Sequence, residues 1–119
     1  MKRILIVEDE INTAKALKEL LGIWGYEVCG PVQSAEEAIE KANAERPDAV
    51  LMDIRLVGEM NGIEAGKIIN QQPGIPVIIM TAYFDSKDER LKGNKKIRFI
   101  GKPFNLDELK SLLEDCLDG

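Results

Sequence analysis

The sequence predicts a doubly wound α/β fold in which five parallel strands alternate with helices that cover both faces. Three observations carry this: short apolar runs rich in β-branched residues, helical apolar stripes between them, and capping residues, glycines and prolines at the junctions. Residues 3–7 (RILIV) suit a strand buried on both faces. Ile11, Ala14, Leu17, Leu21 and Trp24 then recur at helical spacing, and Gly25 supplies a stop. Residues 26–29 form a second strand. Ser34-Ala35-Glu36-Glu37 has the form of a capping box, with Ala35, Ala38, Ile39 and Ala42 as the apolar stripe behind it. Pro47-Asp48 breaks that helix, and residues 49–52 (AVLM) make a third strand that ends on Asp53. Asn61-Gly62 opens a helix that runs to about Gln72, where Pro73-Gly74 ends it. Residues 77–80 (VIIM) are the fourth strand. A weak helical stretch spans 85–91, and residues 97–100 are the fifth strand. Asn105 caps a last helix striped by Leu106, Leu109, Leu112, Leu113 and Cys116.

A chain of 119 residues is expected to be one domain, 1–119, with a core that needs no staples. Cys29 and Cys116 show no ligand spacing and read as reduced thiols. After Met1-Lys2-Arg3 only four apolar residues precede Glu8-Asp9-Glu10, so no signal peptide is expected. No run approaches the ~20 apolar residues of a membrane span, and the cytoplasm is the expected location. The net charge of −5 argues against direct, sequence-independent binding to nucleic acid. Histidine is absent, which removes Ser-His-Asp, Cys-His and His-zinc chemistry. Any chemistry must run on carboxylates, lysine and hydroxyls.

In an open parallel sheet the ligand crevice lies beyond the carboxyl ends of the strands. Those ends carry Glu8-Asp9, Asp53, Thr81 and Gly101-Lys102, after the first, third, fourth and fifth strands respectively. If the first and third strands are neighbours, as in the flavodoxin-like order 2-1-3-4-5, three carboxylates converge. Their repulsion is costly unless a cation sits among them or one keeps a proton. Oxygen ligands with room for water suit Mg²⁺ rather than zinc. Each residue alone has a plainer reading: Asp9 as the N-cap of the next helix, Asp53 as a loop acid held by amides, Thr81 as a structural hydroxyl, Lys102 as a solvated cation. The combination, in that order, carries the functional reading.

Five segments carry a family likeness: ILIVEDE (4–10), LMDIRL (51–56), NGIEA (61–65), PVIIMTA (76–82) and FIGKPF (99–104). The sequence resembles the receiver domains of two-component response regulators, chemotaxis-regulator-like, over essentially its whole length. The resemblance implies that Asp53 is the phosphoacceptor, taking its phosphoryl group from a histidine kinase, a phosphotransfer protein or a small donor such as acetyl phosphate. It implies that Asp9 and Asp53 bind Mg²⁺ (or Mn²⁺) together with the backbone carbonyl of Arg55, with Glu8 acting through water. Lys102 would pair with Asp53 and then with the phosphoryl group, and Thr81 would hydrogen-bond it. Thr81 and Phe99 would form the switch, Ala82 would keep the approach open, and Lys102-Pro103 would be the family's cis peptide. Phe99 also reads simply as a strand core residue.

The chain departs from the family pattern at Val57, where proline is common, and by one extra residue in Gly58-Glu59-Met60. Arg55 and Tyr83 hold the two positions that flank the phosphoryl group, and their bulk is expected to shield it from water. Among rival readings, a haloacid-dehalogenase-type aspartyl phosphatase would need a second aspartate where Arg55 stands. A nucleotide site would need a G-x-G-x-x-G or G-K-[ST] loop, which is absent. A phosphate-independent interaction module is opposed by the complete set Asp9, Asp53, Thr81 and Lys102. Leu91 is the one apolar residue between Asp85 and Ile97, so the helix at 85–91 is expected to be short and marginal. Lys87, Arg90, Lys92, Lys95, Lys96 and Arg98 outnumber Asp88 and Glu89 there. That pattern fits a solvated loop. It also fits an output face, built from this helix, the fifth strand and the last helix, that takes an acidic partner or a second subunit in a phosphorylation-dependent dimer.

Overall fold

In the computed structural model, residues 2–55, 60–71, 74–81, 97–103 and 105–118 are described. They form β1 (Arg3–Val7), α1 (Ile11–Ile23), β2 (Glu27–Val32), α2 (Ala35–Glu45), β3 (Ala49–Asp53), α3 (Gly62–Gln71), β4 (Val77–Thr81), β5 (Ile97–Gly101) and α4 (Leu106–Asp118). The strands make one sheet in the order β2-β1-β3-β4-β5, and every pairing is parallel. This is the flavodoxin-like order expected from the sequence. The expectations for Val57, Gly58, Glu59, Ala82 and Tyr83, for the helix at 85–91 and for the basic stretch from Lys87 to Lys96 lie outside the described residues.

Alternation along the strands builds two cores. Leu5, Val7, Val50, Met52, Val77 and Ile79 face α2 and α3, where Ala35, Ala38, Ala42, Ile63, Ala65 and Ile69 meet them. Ile4, Ile6, Leu51, Ile78 and Met80 face α1 and α4, against Leu17, Leu21, Leu109 and Leu113. Every residue of β3 and β4 is buried, which is why those segments read as unbroken apolar runs rather than as alternating ones.

The capping signals form as expected. The Ser34 hydroxyl accepts a hydrogen bond from the Glu37 amide at 3.1 Å, and Asn61 and Asn105 accept from the amides of Glu64 and Glu108. Three expectations are corrected. The second strand runs three residues further, to Val32, because β2 is an edge strand whose bulge takes up Gly30-Pro31: Leu5 pairs with Cys29, but Val7 pairs with Val32. Ile11 and Leu106 are the first residues of α1 and α4 and stand 60% and 52% exposed instead of joining the buried apolar stripes. The N-cap of α1 is Glu10 and not Asp9, since the Glu10 carboxylate accepts from the amides of Asn12 and Thr13.

Candidate functional site

The parallel register sets the carboxyl ends of four strands side by side. Val7 pairs with Met52, Asp53 with Met80, and Thr81 with Gly101. Glu8-Asp9, Asp53, Thr81 and Lys102 therefore lie along one sheet edge, as the chain order implied. Glu8 continues the edge of β1, its amide donating to the Val32 carbonyl at 2.9 Å. The Lys102 amide donates to the Thr81 carbonyl at 2.8 Å, tying the end of β5 to β4, and the Lys102-Pro103 peptide is cis.

Carboxylate oxygens of Glu8, Asp9 and Asp53 all lie within 4.8 Å of one another. Glu8, Asp53 and Thr81 are buried, with exposures of 2%, 7% and 3%, whereas Asp9 is exposed. The Lys102 ammonium donates to Asp53 Oδ2 at 3.0 Å and to Glu8 Oε2 at 3.3 Å. The Arg55 amide donates to Asp53 Oδ1 at 3.1 Å, so both oxygens of Asp53 are engaged from different directions. Glu8 Oε1 accepts from the Glu10 amide at 3.2 Å. Phe99 is half-buried on β5 and packs against the core that faces α2 and α3.

Electrostatics follow from this crowding. Burial, and then the charge of Asp53, pushes the Glu8 carboxyl up from 4.5 to about 7, against the opposing pull of the Glu10 amide and Lys102. Burial acts to lower Lys102, but its hydrogen bond to Asp53 and the charges of Asp53 and Glu8 outweigh that and raise it above the usual lysine value. Among the described residues, three carboxylates thus face one ammonium. The donor set is all oxygen, anionic and undercompensated, which fits a hard divalent cation. One contact was not expected from the sequence: Lys102 bridges Glu8 as well as Asp53, and Glu8 is the most deeply buried of the three acids that follow β1.

Residues 4–114 match the family model described as the response regulator receiver domain. The chain belongs to that family. Among its relatives, the receiver is 40% identical over 106 residues to the chemotaxis protein CheY of Thermotoga maritima, with 87% of each chain covered. It is 33% identical over 115 residues to the transcriptional regulatory protein PdtaR of Mycobacterium tuberculosis, covering 95% of this chain and 55% of that one. It therefore spans about half the length of that relative, and 26% of the transcriptional regulatory protein ZraR of Klebsiella oxytoca, with which it shares 40% identity. Among solved structures, the receiver domain of a modulated diguanylate cyclase from Desulfovibrio desulfuricans superposes with a TM-score of 0.86 at 29% identity, covering 99% of this chain and 94% of that one. The receiver domain of a sensor histidine kinase from Pseudomonas aeruginosa, solved with a magnesium ion coordinated in its active site cleft, superposes at 0.83 with 29% identity and 99% and 98% coverage. No helix among the described residues of this receiver is long and apolar enough to cross a membrane.

Proposed function

We propose that Asp53 takes a phosphoryl group from a histidine kinase or phosphotransfer protein, in a reaction that needs Mg²⁺ or Mn²⁺. The observation that carries this reading is the pair of fixed donors on Asp53, the Arg55 amide and the Lys102 ammonium, which aim its carboxylate into a cluster with Glu8 and Asp9. Phosphoryl transfer asks a protein mainly for positioning and charge neutralisation, and this edge supplies both. One Asp53 oxygen attacks phosphorus, the phosphorus–nitrogen bond of the donor breaks, and the electron pair leaves with the donor's imidazole. Lys102 neutralises charge on the group in transit, and the Thr81 hydroxyl hydrogen-bonds a phosphoryl oxygen. Glu8, Asp9 and Asp53, with the Arg55 carbonyl, would hold the cation, Glu8 acting through water. When bound, the cation supplies charge neutralisation between these carboxylates and the phosphoryl oxygens. A magnesium ion in the active site cleft of the Pseudomonas receiver supports that assignment.

On this reading the chain catalyses only its own phosphorylation and dephosphorylation, with Thr81 and Phe99 as the switch that passes the signal to an output partner. The test is intact-mass measurement after incubation with acetyl phosphate and Mg²⁺. One added phosphoryl group is expected on the wild type and none on Asp53→Asn; equal labelling of both proteins would refute the assignment.

A further inference from the structure

Helix α3 begins against the backbone of the candidate phosphoacceptor. Gly62 is buried, and its amide donates to the Ile54 carbonyl at 2.9 Å, which brings the chain back onto the end of β3. A β-carbon at position 62 would lie 2.9 Å from the Ile54 Cα and 3.0 Å from the Asp53 carbonyl carbon, and would overlap the Asp53 carbonyl oxygen outright. All of those atoms are backbone, with no flexible side chain to swing aside. The backbone angles of Gly62 fall outside the left-handed region, so its demand for glycine is one of space and not of conformation. Gly66, one turn on, provides the contrast: a β-carbon there would meet Ile79 Cδ1 and Val77 Cγ1, each at 3.4 Å, an ordinary packing contact with side chains that can give.

We infer that Gly62 is a positioning residue for Asp53, its missing side chain letting the start of α3 act as a backstop to the strand end that carries the carboxylate. A methyl group at position 62 pushes on the Asp53 peptide itself. The push moves the carboxylate relative to Lys102 after β5 and Glu8 after β1, which are anchored at the ends of other strands. The inference rests on the reading of Asp53 as phosphoacceptor and metal ligand, and it adds a residue that touches neither phosphoryl group nor cation.

The experiment compares wild type, Gly62→Ala and Gly66→Ala, at 10 °C with trimethylamine N-oxide to hold the fold and with the folded fraction measured in each sample. Two readouts are taken: the rate of labelling by acetyl phosphate at saturating Mg²⁺, and the Mg²⁺ dissociation constant. A displacement of order 1 Å costs on the order of a hundredfold in a positioned reaction, and moving a supporting group weakens metal binding about tenfold or more. Folded Gly62→Ala is expected to show both losses, while Gly66→Ala stays within about twofold of wild type. Folded Gly62→Ala with wild-type rate and affinity would overturn the inference, and so would equal losses in both variants. A Gly62→Ala chain that stays unfolded under these conditions would reduce Gly62 to a requirement of the fold and likewise overturn it. A wild type that neither labels nor binds Mg²⁺ would refute the phosphoacceptor reading itself, a separate and visible result that removes this inference with it.

Discussion

Glu8→Gln should remove a pH dependence of stability that the metal-free wild type carries. The Glu8 carboxyl is almost wholly buried and is pushed up to about 7 from 4.5, first by that burial and then by Asp53. With the folded value above the unfolded one, the folded chain keeps a proton that the unfolded chain gives up between these limits. Stability from this group is therefore fully present below pH 4.5 and is lost as pH rises through about 7. A gap of that size at ~1.4 kcal/mol per pH unit is on the order of 3 kcal/mol, most of which falls between pH 5 and 8. Glutamine keeps the volume and a hydrogen-bonding oxygen without the titration. Urea unfolding in the presence of a chelator, followed by the fluorescence of Trp24, the lone tryptophan, measures the difference between the two proteins at each pH. That difference should move by roughly 2–3 kcal/mol in favour of the glutamine variant from pH 5 to pH 8. Parallel profiles, with the difference constant to within ~0.5 kcal/mol, would refute the claim that Glu8 is buried beside a second negative charge.

Other tests read the same edge. Mg²⁺ at ten times its dissociation constant should stabilise the wild type by about 1.4 kcal/mol at pH 8, and Asp9→Ala should lose most of that gain in thermal unfolding. Lys102→Ala should slow labelling by acetyl phosphate on the order of a hundredfold, because it removes the counter-charge from the transferring group, and a stopped-flow or quench time course will show it. Ser34→Ala should cost about 1 kcal/mol through the lost α2 cap in urea unfolding and leave the labelling rate unchanged, which separates fold from site.

Much of the site was legible because a parallel sheet converts chain order into place. Once the strand ends are known, Glu8, Asp9, Asp53, Thr81 and Lys102 can gather only at one edge, and the structure brings them there. The details that escaped depend on distances between distant segments. Nothing local in Glu8-Asp9-Glu10 says which acid is buried, which caps α1 and which meets Lys102; that division follows from the bond between the Glu8 amide and Val32 on β2. The second strand, expected to end at Cys29, continues past Gly30-Pro31, because on an edge strand the ladder can resume through a bulge. Asn61-Gly62 announces a helix start, but the close approach that leaves no room for a β-carbon at Gly62 is with the Asp53 and Ile54 backbone, which nothing local in the sequence specifies. Periodicity puts Ile11 and Leu106 on the apolar faces of their helices, yet both are exposed in the first turn, because periodicity reports the face of a helix and not what covers it.

The charge arrangement connects these observations to the proposed switch. Among the described residues, Glu8, Asp9 and Asp53 against Lys102 carry about two net negative charges when all are ionised, and partial protonation of Glu8 relieves part of that charge in the metal-free protein. A divalent cation brings the edge close to neutral. On the proposed reading, a phosphoryl group then replaces the single charge of Asp53 with nearly two, so the loaded edge becomes negative by about one charge with the cation in place. Lys102 already spans Glu8 and Asp53, and the strand that leads into it, β5, also carries Phe99. A stronger pull on Lys102 is thus a pull on the end of β5, which its amide ties to Thr81 at the end of β4. The two proposed switch residues, Thr81 and Phe99, sit on the two strands that share this tie, so on that reading a change of charge at Asp53 would reach these strand ends through hydrogen bonds already formed in the resting protein.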